Sequence, residues 1–200
     1  YQIAELIERH DRDRFEVTGI STGPDDNGPT RARLIAAFDS FHDMRLRSDA
    51  EAAALIRGLE TDILVDLNGH TEGSRPGILA RRPAPVQALY LGYAGTSAAD
   101  FIDYIIADPV VAPHAHQPFF TEKIVQLPDC LMATDTTRKI GAAPSRAAEG
   151  LPRDGFVFCA FNNHWKINPS LFDLWMRLLN LVAGSVLWLK GGNEKLKDNL

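Results

Sequence analysis

Cysteine is nearly absent: Cys130 and Cys159 are the only two in 200 residues. Two thiols cannot build the multi-bridge framework of a small secreted scaffold, and they are too few for a cysteine-based structural zinc site. Cys159 stands in an apolar run and is expected in a core, as free cysteines usually are. An excess of positive charge is lacking too. The formal net charge is −5, which argues against a nucleic-acid binder, because that function needs a basic surface. No apolar run approaches the roughly 18 residues of a membrane-spanning helix, and no secretory leader is visible. A cytoplasmic protein without a membrane partner is the expectation. No internal repeat occurs. His114 and His116 come nearest to a metal motif, but Pro113 and Pro118 flank them and no carboxylate or cysteine is close in sequence. They read as surface or capping histidines, and no metal site is expected. The chain starts in mid-pattern at Tyr1, without Met, and stops at Leu200 within a charged, helix-like stretch. It is expected to be a piece of a longer protein.

What is present is an alternation of strand-like and helix-like segments. Strands are expected at Phe15–Ser21, Ser40–Leu46, Asp62–Leu67 (buried), Val86–Leu91, Tyr104–Ala107, Lys123–Leu127, Phe156–Phe161 (buried) and Ser185–Leu189. Helices are expected at Tyr1–Asp11, Thr30–Phe38, Ala52–Leu59, Pro76–Ala80 and after Asn168-Pro169. Ser48-Asp49-Ala50-Glu51 is a capping box. Asn168 is a candidate N-cap with Pro169 at the first helical position, and Leu171, Leu174, Trp175, Leu178 and Val182 then line one helical face. Such alternation predicts an α/β fold of parallel βαβ units with helices on both faces of the sheet. Composition shifts to Ala, Thr, Arg and Pro beyond Cys130. That places a first lobe at 1–133, a linker at 134–154 and the start of a second lobe at 155–200.

Three polar loops follow predicted strands. In open α/β sheets the crevice at the carboxyl ends of the strands is where ligands bind, so these loops are expected to face one another. The first, Asn68 to Arg75, has two glycines for tight turns and offers His70 and Arg75. A second, Gly92-Tyr93-Ala94-Gly95-Thr96-Ser97, has small residues that let backbone N–H groups approach an anion or a sugar. Its bland reading is a cap, Thr96 or Ser97, on a following helix. The third, Asn162-Asn163-His164-Trp165-Lys166, sits where a strand hands over to a helix. Amides, one flat ring and one cation suit a nucleotide: amides for base or phosphate edges, the ring for stacking, the cation for phosphate.

Asp62 to Val111, with RPAPVQ and LGYAGTS, and Val157 to Lys190, with FNNHWKI, together resemble the catalytic region of the O-linked N-acetylglucosamine transferases, the SPINDLY-type branch included. The resemblance implies a GT-B architecture of two Rossmann-like lobes, with most of the first and the start of the second present. It implies an inverting, metal-independent transferase with no cofactor, which moves a sugar from a nucleotide sugar, UDP-GlcNAc in most relatives, to Ser or Thr hydroxyls of a protein acceptor. It implies tetratricopeptide repeats upstream. By the same resemblance Lys166 matches the lysine that neutralises the leaving diphosphate. Asn163 stands at a common Gln beside the nucleotide, with Asn162 before it, and Trp165 stands at a Tyr. His70 lines the acceptor side, and Gly92, Tyr93, Ala94, Gly95 and Thr96 lie near sugar and acceptor, with Ala94 at a common Pro. The family's upstream D-F-x-x-H strand and downstream His-Thr-Thr segment are not in this sequence, so the piece by itself is expected to be inactive. Two alternatives stay open: a non-catalytic binding scaffold derived from the family, and another GT-B nucleotide-sugar enzyme such as a GDP-fucose-dependent protein fucosyltransferase.

Overall fold

The computed structural model describes residues 2–191, and the helix-like stretch before Leu200 lies outside them. The chain divides into two compact units, Tyr1–Arg138 and Lys139–Leu200. The division falls inside the stretch expected as a linker. Residues 135–137 are fastened to the first unit: Thr136 donates its N–H to the Glu5 carboxylate at 2.5 Å and its hydroxyl at 2.8 Å, and Asp135 pairs with Arg33 at 2.5 Å.

The first unit runs α1 (Ala4–Glu8), β1 (Thr18–Ser21), α2 (Pro29–Ala37), β2 (Ser40–Asp43), α3 (Asp49–Gly58), β3 (Ile63–Asp66), α4 (Pro76–Leu79), β4 (Val86–Tyr90), β5 (Tyr104–Ala107), a 3-10 helix at His114–Phe119 and β6 (Lys123–Gln126). Strands β1 and β2 form one parallel pair. A second parallel sheet has the order β3-β4-β5-β6, with Val65 opposite Ala88 and Ile105 opposite Ile124. The predicted capping box opens α3. The Ser48 hydroxyl accepts from the Glu51 N–H at 3.2 Å, and the Glu51 carboxylate accepts from the Ser48 N–H at 2.8 Å. Beyond it Ala52, Ala53 and Ile56 share one face and bury against Met44 and Ile78, with Ile20 of β1 and Leu64 of β3 packed alongside. A second core joins Leu79, Leu89, Ile102, Ile105, Ala112 and Ile124 around the central strands. All this apolar area withdrawn from water is the main stabilising term.

Two expectations for this unit need correction. The alternation of strand and helix lapses after β4: residues 91–103 connect β4 to β5 without a helix, and only a 3-10 turn connects β5 to β6. Gln87, with no exposed surface, does the fastening there, donating its amide to the carbonyls of Leu79 and Phe101 at 2.9 and 2.6 Å. Strand Asp62–Leu67 was expected buried, but β3 ends its sheet, and Ile63 and Val65 are 58% and 40% exposed. Apolar content marks a strand; whether a layer covers its second face is a tertiary fact.

In the second unit β7 (Val157–Ala160) and β8 (Val186–Leu189) form a parallel pair. Between them come a 3-10 turn at His164–Lys166 and α5 (Pro169–Leu181). Asn168 caps α5 as predicted, its side-chain oxygen accepting from the Leu171 N–H at 2.9 Å. The expected burial of Phe156–Phe161 does not occur. Phe156 and Phe161 are more than half exposed, and Cys159, expected in a core, is exposed, as is Cys130 in the first unit. The apolar face of α5 is likewise only partly covered, with Leu174 and Leu178 among its exposed residues. Two strands and one helix leave much of their apolar surface uncovered among the described residues.

Candidate functional site

In the first unit two of the three predicted loops meet at the carboxyl ends of β3 and β4. Asp66, the last residue of β3, turns the chain: its carboxylate accepts from the N–H groups of Asn68 at 3.1 Å and Gly69 at 2.9 Å. Gly69 has φ +56°, and a Cβ there would lie 2.6 Å from that of Tyr93. A Cβ on Gly92 would run into the Leu67 carbonyl. The two loops are therefore in backbone-to-side-chain contact, and only glycine permits it. The exposed His70 ring stands edge-on to Tyr93, centroids 5.2 Å apart, with its Nε2 3.1 Å from the Ser97 carbonyl. Gly92, Tyr93 and Ala94 are exposed; Gly95 and Thr96 are half-buried. So His70 and the Gly92–Thr96 loop form one surface of an aromatic pair, an imidazole and open backbone.

Arg75 has other partners. Its guanidinium binds Asp49 at 2.6 Å and the carbonyls of Met44 and Arg47 at 2.9 and 2.7 Å. Those contacts fasten the α4 entry to the start of α3.

In the second unit the carboxyl ends of β7 and β8 lie side by side. Asn162 and Asn163 are exposed after β7. The Trp165 ring is 79% exposed, an unusual placement for so large an apolar group. Lys166 ends the 3-10 turn, its N–H donating to the Asn163 carbonyl at 3.0 Å while its side chain is exposed. Lys190, at the end of β8, reaches the Asn163 side-chain oxygen at 3.4 Å, and the His164 ring lies 3.1 Å from the Lys190 carbonyl. Two amides, an exposed indole and two ammonium groups thus share this strand edge. Lys190 was not singled out from sequence; the signal was available, a cation directly after the apolar run of β8.

Three carboxylates that sequence reading passed over shape the first unit's loops. Besides Asp66 there is Asp108, after β5, whose carboxylate accepts from the N–H groups of Val110, Val111 and Leu131. The third is Glu122, just before β6, with no exposed surface. Its oxygens accept from the Thr96 hydroxyl at 2.7 Å, from the Ser97 N–H at 2.7 Å and from the Ser97 hydroxyl. Burial works against its charge, but the bonds from Ser97 and Thr96 outweigh it and hold the carboxyl below its usual range. Among the described residues no group of three or more His, Cys, Asp or Glu is placed to hold a metal ion. His114 and His116 lie exposed on the 3-10 helix. Among them, too, no helix is long and apolar enough to cross a membrane.

Comparison with known proteins supplies what geometry alone does not. The chain matches the profile of Glycosyl transferase family 41 over residues 3–141 and 132–195. It is 35% identical to the probable UDP-N-acetylglucosamine–peptide N-acetylglucosaminyltransferase SEC of Arabidopsis thaliana, an alignment covering 90% of this chain and 19% of that protein. It is 38% identical to the UDP-N-acetylglucosamine–peptide N-acetylglucosaminyltransferase of Caenorhabditis elegans, over 90% of this chain and 26% of the relative. The chain therefore spans about a fifth to a quarter of these proteins. Among solved structures, a lysine-to-methionine variant of the Thermobaculum terrenum O-GlcNAc transferase superposes with a TM-score of 0.88 at 30% identity, covering 100% of this chain and 38% of that one. The α/β, GT-B-type fold expected from the sequence agrees with that match.

Proposed function

The chain belongs to glycosyl transferase family 41, and from that premise we propose that the complete protein transfers N-acetylglucosamine from UDP-GlcNAc to Ser or Thr hydroxyls of a protein acceptor. The relatives compared above carry that activity in their names, which favours it over a fucose donor or a non-catalytic scaffold. In this reading the strand edge of the second unit takes the nucleotide diphosphate. Asn162 and Asn163 offer amide donors and acceptors, Trp165 a stacking face, and Lys166 a compact positive charge. His70 and the Gly92–Thr96 loop take the sugar and acceptor side. The transfer inverts the anomeric centre and needs no metal or cofactor; the exposed ammonium of Lys166 balances the charge that grows on the departing diphosphate. Tetratricopeptide repeats upstream and a cytoplasmic place of work complete the proposal, on the family resemblance.

The observation that carries it is the exposed Trp165–Lys166 pair beside Asn163 at the carboxyl end of β7. Interactions that strengthen toward the transition state act on turnover. Lys166→Met in the full-length protein keeps the stem and deletes the charge, and is expected to lower kcat by about 10²–10³ with little change in the KM for the donor. Lys166→Arg should recover only part, since a planar fork does not replace a compact ammonium. Steady-state kinetics with UDP-GlcNAc and an acceptor peptide, with and without a chelator, decide it. Near-normal turnover of the Met variant refutes the role of Lys166, and activity lost with chelator and restored by Mn²⁺ refutes metal independence.

A further inference from the structure

Glu122 is a carboxylate with no exposed surface and, among the described residues, no cationic partner. Carboxylates are almost never fully buried unless something specific compensates them. Here the compensation comes from a single place. All three donors to its side chain belong to Thr96 and Ser97, the end of the loop that begins at Gly92. Hydrogen bonds to an ionised acceptor are shorter and stronger than neutral ones, so this is a strong clamp on two consecutive residues. The clamp is itself held. The Glu122 carbonyl accepts from the Gln117 amide at 2.8 Å, and Gln117 accepts in turn from the Ile124 N–H at 3.0 Å, which ties Glu122 and the start of β6 to the 3-10 helix.

The loop needs such a clamp. It is bounded by two non-glycine residues in the left-handed region, Leu91 at φ +66° and Ala98 at φ +55°. Backbone of that kind persists only where its surroundings over-determine it. No helix follows to anchor the loop. Thr96 takes the Ala98 N–H at 3.0 Å while giving its hydroxyl to Glu122, and the Ser97 carbonyl lies against His70. A continuous set of contacts thus runs from Glu122 through Ser97 to His70 and Tyr93.

We propose that Glu122 is the positioning residue of this loop: its buried carboxylate locks Gly92–Ser97, and through Ser97 the His70 ring, in the arrangement that receives the sugar and the acceptor hydroxyl. It touches no substrate itself. This rests on the transferase reading above for what the loop receives, but not for the clamp.

The test is Glu122→Gln in the full-length protein, with Glu122→Asp beside it. Gln keeps the reach but turns a donor toward the donors of Thr96 and Ser97; Asp keeps the charge and shortens the reach. Two measurements are made: kcat and KM with UDP-GlcNAc and an acceptor peptide, and amide hydrogen exchange. A misplaced positioning group typically costs about 10²-fold in rate. The Gln variant is therefore expected to lose that much in kcat/KM for the acceptor, with Asp intermediate. Faster exchange should be confined to residues 92–99, while β4, β5 and β6 stay protected. A Gln variant within twofold of the unmodified kcat/KM overturns the proposal. So does exchange that rises throughout β4–β6 together, which marks general destabilisation. Should the unmodified protein transfer no sugar from UDP-GlcNAc, the proposed function falls, and the exchange pattern alone decides whether Glu122 holds the loop.

Discussion

Asp108 accepts three backbone N–H groups, those of Val110 and Val111 at 2.9 and 2.8 Å and that of Leu131 at 2.9 Å. The bonds from Leu131 and Val111 outweigh desolvation and hold its carboxyl below the usual range. A carboxyl whose folded-state pKa is depressed contributes stability above its unfolded-state pKa, near 3.9, and loses it as pH falls through the folded value. Denaturant melts at pH 7 and at pH 3 should therefore show the unmodified chain weakening on acidification. An Asp108→Asn variant, with no charge to lose there, should weaken less between the same two pH values; an equal loss in both would show that Asp108 does not contribute. Neither Asp108 nor Glu122 is legible in sequence as a clamp. Val110 and Val111 are local to Asp108, but Leu131 lies 23 positions from it and the partners of Glu122 lie 25 and 26 away, and spacing along the chain carries no trace of such distant pairs. His70, Asn163, Trp165 and Lys166 are legible as exposed groups at strand ends, because a polar break after an apolar run is a local signal. Arg75 shows the limit of that signal: it stands in the same loop as His70, yet its guanidinium is bonded to Asp49.

Among elements, α3 owes its start to local sequence. The Ser48 hydroxyl and the Glu51 carboxylate satisfy each other's backbone N–H groups, and that reciprocity was readable from the S-x-x-E pattern alone. Ser48→Ala is expected to lower stability by about 1 kcal/mol, seen as a lower urea midpoint with an unchanged m-value. No shift in midpoint would show that tertiary contacts of Ala52 and Ile56 fix the helix unaided. The start of α5 was equally legible from Asn168-Pro169. Strand positions were legible too, since period and composition are local. Strand burial was not, and β3 and β7 show why: Ile63 and Cys159 stand in apolar runs, yet no described element covers them. The missing helix after β4 escaped for a different reason. Ser97 and Thr96 have the chemistry of helix caps, but their hydroxyls donate to Glu122 and accept from the N–H groups of Ala99 and Ala98, and Thr96 also meets the Thr121 hydroxyl.

At the scale of the whole molecule the two units differ in kind. Every buried residue of the described chain lies in Tyr1–Arg138; Lys139–Leu200 contributes none among its described residues. The match to family 41 nevertheless extends across both, so family membership rests on motifs in each unit rather than on one core. The scarcity of cysteine has a practical consequence. The chain's two thiols are both exposed, and they are divided between the units, Cys130 in one and Cys159 in the other. Both should titrate with Ellman's reagent in the native state, two equivalents per chain; fewer than two without denaturant would contradict the exposure of one of them. A donor and an acceptor dye coupled to that native pair would make the unaltered 200-residue sequence its own optical ruler for the separation of the two units.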